Sequence, residues 1–202
     1  MVCEKVICMN RKPLLGMCIG DGHITSKGSL RIRHSDKQRE YAFAKAQRIS
    51  EIIGRGEINV SPYNYNGFPC WQFSVGNQYF RIVRKWLYPN NTKIISRNYL
   101  DKLNDEAIAY WYMDDGSLSA KRRKGLIHSH ELTISTCCSL EEVITIIDYF
   151  KEKWGVKFSK RKMKNHFSIR CGKQEAMKFI EIVKPFIIES MKYKITFSTN
   201  AL

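Results

Sequence analysis

The chain has 202 residues, is 44% hydrophobic, and carries 34 Lys and Arg against 19 Asp and Glu, a net charge of +15. That apolar share excludes a disordered chain, and the length supports a sizeable core in one large or two small domains. The charge points to a polyanionic partner, nucleic acid before an acidic membrane surface, and both halves share it: 16 Lys and Arg against 7 acids in residues 1–101, 18 against 12 in residues 102–202.

In chain order, Pro13 suits the first turn of a helix running to about Gly20, because a proline lacks the amide that such a turn leaves unused. Gly16 and Gly20 share one face of that helix, which allows close approach of a partner, and Gly22 is expected to end it. Residues 29–35 alternate and predict a half-buried strand with Arg31 and Arg33 on one face. Tyr41, Ala42, Ala46, Ile49, Ile52 and Ile53 recur at helical spacing and predict a helix over 38–53. Strands follow at about 57–63 and 70–75, joined through Asn64 to Gly67, then a helix over 78–88 that Pro89, Asn90 and Asn91 break. The second half predicts a helix over 104–115, a strand from Leu126 to Thr136, and a helix over 139–154 opened by a Ser139–Glu142 capping box. Strands at about 156–163 and 166–171 and a helix over 174–188 complete it.

Two phrases carry more than these patterns. LLGMCIGDG ends in Asp21 and Gly22, and IAYWYMDDG ends in Asp115 and Gly116, with 94 positions between the aspartates. The pairs Phe73-Ser74-Val75 and Phe167-Ser168-Ile169 repeat that offset, which argues for an internal duplication. A carboxylate at a helix C-terminus faces the negative end of the macrodipole. Two of them meeting at the foot of a helix pair would repel, and a bound cation is the simplest rescue.

Seven cysteines without a C-x-x-C pair argue against a disulfide framework. No stretch is long enough to span a membrane, so a soluble, intracellular protein is expected. His128, His130, Cys137 and Cys138 do not have zinc-finger spacing, and zinc is set aside. His23 is read as a loop residue, and Trp71, Trp86, Trp111 and Trp154 as core aromatics.

With those residues in view, the chain resembles the LAGLIDADG homing endonucleases of the single-chain, two-repeat branch, over almost its whole length. The resemblance implies an α/β (α+β) fold of tandem, pseudo-symmetric αββαββα repeats, 1–100 and 101–202. Paired motif helices would form the interface, and antiparallel sheets a DNA-binding saddle. It implies a monomer that cuts double-stranded DNA at a long target site. Asp21 and Asp115 would hold two or three Mg²⁺ ions, with Mn²⁺ as a substitute and Ca²⁺ binding without supporting cleavage. Gly20 and Asp114 are further metal candidates; Asp114 stands where the family prefers a small residue. Tyr110 stands where the family often has glycine, so the helix pairing should not be symmetric. Lys93 and Lys194 match the basic residue of each half, with Lys192 the competitor to Lys194.

Mg²⁺ takes few protein carboxylates and keeps several waters, so such a sparse set is chemically reasonable. The cations would polarise the phosphate and supply bound water as nucleophile. A β-ribbon fits the major groove, where Arg and Gln can contact base edges. Arg31, Arg33, Gln72, Arg161 and Arg170 are therefore the strand candidates for DNA. Lys121, Arg122 and Arg123, with Lys124, are read as a basic loop, and Tyr65 with Tyr63 as a hairpin tip. Lys27, Lys160, Lys162 and Lys192 complete the expected contact set. Two other readings use the same basic surface: an RNA-binding intron maturase, and a catalytically silent DNA-binding regulator.

Overall fold

The computed structural model describes residues 11–200. Cys3, Cys8 and the N-terminal apolar stretch lie outside them. The first half runs α1 (Lys12–Ile19), β1 (His23–Ile24), β2 (Ser29–Ser35), α2 (Arg39–Ile53), β3 (Ser61–Tyr65), β4 (Phe68–Gly76) and α3 (Gln78–Leu87). A short helix, α4 (Arg97–Leu100), leads into the second half. That half runs α5 (Asp105–Asp115), β5 (Gly116–Arg123), β6 (Leu126–Cys138), α6 (Leu140–Trp154), β7 (Ser159–Lys162), β8 (Phe167–Gly172) and α7 (Lys173–Val183).

Each half folds into one four-stranded antiparallel sheet, ordered β1-β2-β4-β3 and β5-β6-β8-β7. The same element order and the same strand order twice over is the αββαββα duplication expected from the repeated phrase. Leu30, Ile32, Phe73 and Val75 turn one face of the first sheet into the core, as Leu132, Ile134, Ile169 and Cys171 do for the second. The opposite faces remain open, because side chains alternate along a strand.

The local signals explain most boundaries. Pro13 opens α1. The Asn77 side chain accepts the Tyr79 N–H and starts α3. Ser139 and Glu142 form the reciprocal capping box of α6, and Gly155 closes that helix with a left-handed φ of 66°. Pro185 stops α7 at Val183, short of the expected 188, and shorter helical turns follow it.

Three expectations need correction, and one element was not foreseen. The strand placed at 57–63 lies at 61–65, because the two-residue turn at Asn66 and Gly67, both at positive φ, sets the hairpin register. Lys121, Arg122 and Arg123 are not a loop. They belong to β5, whose polar residues hide a strand held by pairing to β6. The two-residue β1 was likewise too short to show periodicity. Gly22 does not end α1. The helix stops at Gly20, and the Gly22 N–H bonds back to the Met17 carbonyl at 2.9 Å, where a Cβ would collide with that carbonyl.

Candidate functional site

The helices α1 and α5 pack directly on each other, and the glycine face of α1 is what permits it. A Cβ at Gly16 would collide with the Ala107 backbone, and one at Gly20 with the Asp114 carboxylate. Gly16 therefore rests on Ala107. Tyr110, at the matching place in the second phrase, carries a full ring and is buried. The pairing is asymmetric, as the sequence implied.

At the foot of this pair the Asp21 N–H donates to the Asp114 carboxylate at 3.0 Å, which brings the end of α1 beside the end of α5. Burial, then the negative charges of Asp114 and Asp21, push Asp115 up to about 7. Burial and then Asp114 push Asp21 up to about 6. Asp21 keeps 37% of its side-chain surface open to solvent. Asp115 borders a cavity of about 220 Å³ shared with Gly20, Lys93, Thr136 and Glu142. Crowded, partly desolvated carboxylates beside open space suit a divalent cation, which would favour their charged forms.

The two lysines occupy equivalent positions. The Lys93 ammonium donates to the Gly20 carbonyl at 2.8 Å and to the Gly22 carbonyl at 3.3 Å. The Lys194 ammonium donates to the Met113 carbonyl at 2.6 Å and the Asp114 carbonyl at 3.3 Å. Each lysine satisfies carbonyls that the end of a motif helix leaves without partners. Burial lowers both ammonium pKa values, against the pull of all three aspartates. Lys192 instead is exposed and pairs with Glu189 at 2.6 Å. The Gly20 carbonyl keeps a second lone pair.

Asp114, the further metal candidate, is engaged by protein donors on both carboxylate oxygens. Its Oδ1 accepts from the Tyr41 hydroxyl at 2.7 Å and from Lys45 at 2.7 Å. Its Oδ2 accepts from Lys45 at 2.8 Å and from the Asp21 N–H at 3.0 Å. Four hydrogen bonds from three donor groups fill the roughly four acceptor positions of a carboxylate. Lys45 and Asp114 form an ion pair whose side chains are both closed to solvent. The imidazole of His34 lies beside it, with Nε2 at 3.4 Å from the Lys45 ammonium and Nδ1 at 3.4 Å from Asp21. Burial and then Lys45 hold His34 down to about 3, so the ring is neutral. Asp21, His34 and Asp114 each offer a ligand atom within 4.8 Å of the others. Lys45 nevertheless occupies the Asp114 side of that group.

The sequence reading missed Tyr41, Lys45 and His34 as a network. A signal was present: Lys45 falls on the apolar stripe of α2 between Tyr41 and Ile49, where a charge requires a buried partner. Trp111 is buried as expected, but its indole N–H also donates to Asp115 at 3.1 Å. His23 lies on β1 rather than in a loop, edge-on to the Tyr88 ring. His130 is buried against the Phe197 ring.

The sheet candidates divide by register. Paired residues share a face, so Arg31, Arg33, Tyr63, Tyr65 and Gln72 all lie on the open face of the first sheet. Arg33 is held over the Tyr63 ring at 4.2 Å and the Tyr65 ring at 4.7 Å, and donates to Gln72 at 3.5 Å. Lys121, Arg161 and Arg170 share the open face of the second sheet. A register shift after Lys121 keeps Arg122, paired with Ile127, on that side. Arg123, Lys160 and Lys162 fall on the other face, with Leu126, Ile169 and Phe167 as neighbours, and do not join this surface. Lys27 lies in the β1–β2 turn.

Comparison with known proteins completes the description. The LAGLIDADG DNA endonuclease family matches residues 11–179. A protein of Mycosarcoma maydis named probable intron-encoded DNA endonuclease 3 is 30% identical over 130 residues, 62% of this chain and 91% of that protein. Protein RecA of Mycolicibacterium flavescens is 26% identical over 201 residues, and the chain spans only 45% of its length. Among solved structures, the homing endonuclease I-WcaI bound to its DNA recognition sequence superimposes with a TM-score of 0.77 at 21% identity, covering 95% of this chain and 88% of that one. I-DmoI in complex with DNA and Mn gives a TM-score of 0.54 at 12% identity, covering 88% and 97%.

Proposed function

The chain belongs to the LAGLIDADG DNA endonuclease family and is a homing endonuclease that acts on DNA phosphodiester bonds, and from that premise we propose how its residues divide the work. It uses divalent metal; we assign Mg²⁺ as the working ion, held by Asp21, Asp115 and the Gly20 carbonyl, with Asp114 removed from the set. A cation held there would supply charge stabilisation at the phosphate and an activated water.

The chain's own groups do the rest. Asp21 and Asp115 would hold the cations at the seam of the halves. Lys93 and Lys194, held at the helix ends, set a positive potential where negative charge develops in the transition state. Their lowered pKa values also make either able to pass a proton more readily than a free lysine. Asp114, neutralised by Lys45, fixes the backbone of Asp21 through its N–H. The open sheet faces bind double-stranded DNA, with Arg31, Arg33, Tyr65 and Gln72 from the first sheet and Lys121, Arg122, Arg161 and Arg170 from the second. Because one chain contains both motif helices, a second copy is not needed, which supports a monomer.

The observation that carries this reading is the convergence of both aspartates and both lysines at the foot of α1 and α5. The test is cleavage of a supercoiled plasmid carrying the uninterrupted insertion site, with Mg²⁺ as the added ion. Wild type should linearise it. Asp21→Asn and Asp115→Asn should still bind the duplex but cut poorly. Full cutting by both variants would remove these roles.

A further inference from the structure

The two open sheet faces differ by one acidic residue. No strand residue on the first face is acidic, whereas the second carries Glu131 at the middle of β6, with only 13% of its side chain exposed. Three cations from three different strands converge on it. Lys121 of β5 reaches it at 2.7 Å, Arg170 of β8 at 3.1 Å and Arg161 of β7 at 3.5 Å. Burial would raise this carboxyl, but the surrounding cations more than reverse that and hold it below the usual carboxylate range. It is therefore charged at neutral pH.

Stability is a weak reason for such a cluster, since solvent-facing ion pairs contribute only about 0–1 kcal/mol each. Its effect on nucleic-acid binding is larger. A free Lys or Arg on an open sheet reaches any phosphate, and such contacts carry no sequence information. A cation bound to Glu131 must leave it to reach a phosphate. The carboxylate then faces the DNA charge unpaired. That exchange is favourable only where base-edge contacts compensate. Arg33 shows the alternative within the same molecule: two tyrosine rings and a neutral glutamine hold it without reducing its charge.

We propose that Glu131 is a specificity-determining residue, tying Lys121, Arg161 and Arg170 into one fixed group and withdrawing them from sequence-independent contact with phosphates. This rests on the reading that the open face of the second sheet meets duplex DNA.

The test is equilibrium binding of the full chain to a short duplex of arbitrary sequence over a KCl series, without divalent metal. Glu131→Gln keeps shape and removes charge. It should bind this duplex more tightly at low salt. It should also steepen the log-affinity against log-salt slope by about one unit per cation released, up to about three. Glu131→Asp retains the charge and should keep a slope near that of wild type. Melting curves verify that both variants fold. Lys121→Gln/Arg161→Gln/Arg170→Gln, placed in the Glu131→Gln background, should abolish the gain. An unchanged or weaker Glu131→Gln complex overturns the proposal. If the triple change still lowers the slope of the otherwise wild-type chain, the face remains the DNA contact. If the triple change has no effect in either background, the proposal falls together with that reading of the face.

Discussion

The two motif helices end in the same Asp-Gly pair and in different surroundings. At the end of α1, Asp21 has its N–H tied to Asp114 and the neutral His34 ring beside its carboxyl. At the end of α5, Asp115 takes an indole N–H from Trp111 and borders the cavity with Lys93. One half anchors its aspartate through the backbone, the other through the side chain. A duplicated sequence can therefore keep its chemistry at two positions while the supports diverge, because only the carboxylates must coincide.

The largest expected effect breaks the shared part. Asp21→Asn and Asp115→Asn should each slow cleavage by more than about 100-fold in nicking assays, since under the proposed reading each carboxylate holds the cation that polarises the reacting phosphate. If the supports matter, residual nicking by the two variants should favour opposite strands.

Next comes the anchor found only in the first half. Lys45→Met leaves the Asp114 carboxylate buried without its cation and should destabilise the protein by about 3–5 kcal/mol in chemical denaturation. The double change Lys45→Met/Asp114→Leu should recover most of that loss, because matched apolar groups can replace a buried pair. Failure of the double change to recover stability would mean that the Tyr41 and Asp21 bonds to Asp114 carry the effect.

A pH comparison follows. Asp115 is raised to about 7 and Asp21 to about 6, both above a normal carboxyl. The metal-free folded state thus binds more protons than the unfolded state. Its stability from these groups is fully present below about pH 4 and falls as pH rises through 6 and 7. Asp115→Asn removes one of these charges. Its melting temperature, relative to wild type, should increase from pH 4 to pH 8. Added Ca²⁺ should raise the wild-type melting temperature more at pH 8 than at pH 5, by competing with the proton. A flat difference would contradict the carboxylate crowding.

The smallest effect tests the second half's support. Trp111→Phe keeps a buried ring and deletes the N–H to Asp115, for about 1–3 kcal/mol. It should slow nicking of one strand only, while Asp114→Asn should affect mainly the other.

Much of this organisation was legible in the sequence. The strand at 29–35, the capping box at Ser139, the glycine face of α1 and the two terminal aspartates follow from spacing and residue type. The strands β1 and β5 did not, because β1 has two residues and β5 reads as serine and basic residues without apolar alternation. Lys160 and Lys162 illustrate a subtler loss: composition marks them as basic, but only pairing to Ile169 and Phe167 reveals which face they occupy. Asp114 could be suspected of pairing, but its partner is 69 positions away.

By itself, the sequence determined the duplication, the basic surface and the two carboxylates that close the motif phrases, since periodicity and charge are local properties of the chain. Only the tertiary structure decided which acids remain open. Asp114 is adjacent in sequence to Asp115, yet α2, packed on the first sheet, delivers Lys45 and Tyr41 to it and saturates it. The same applies to Glu131, whose three cations come from three strands. Which charges cancel and which stay available depends on distances of a few ångströms between remote segments, and those are set by packing.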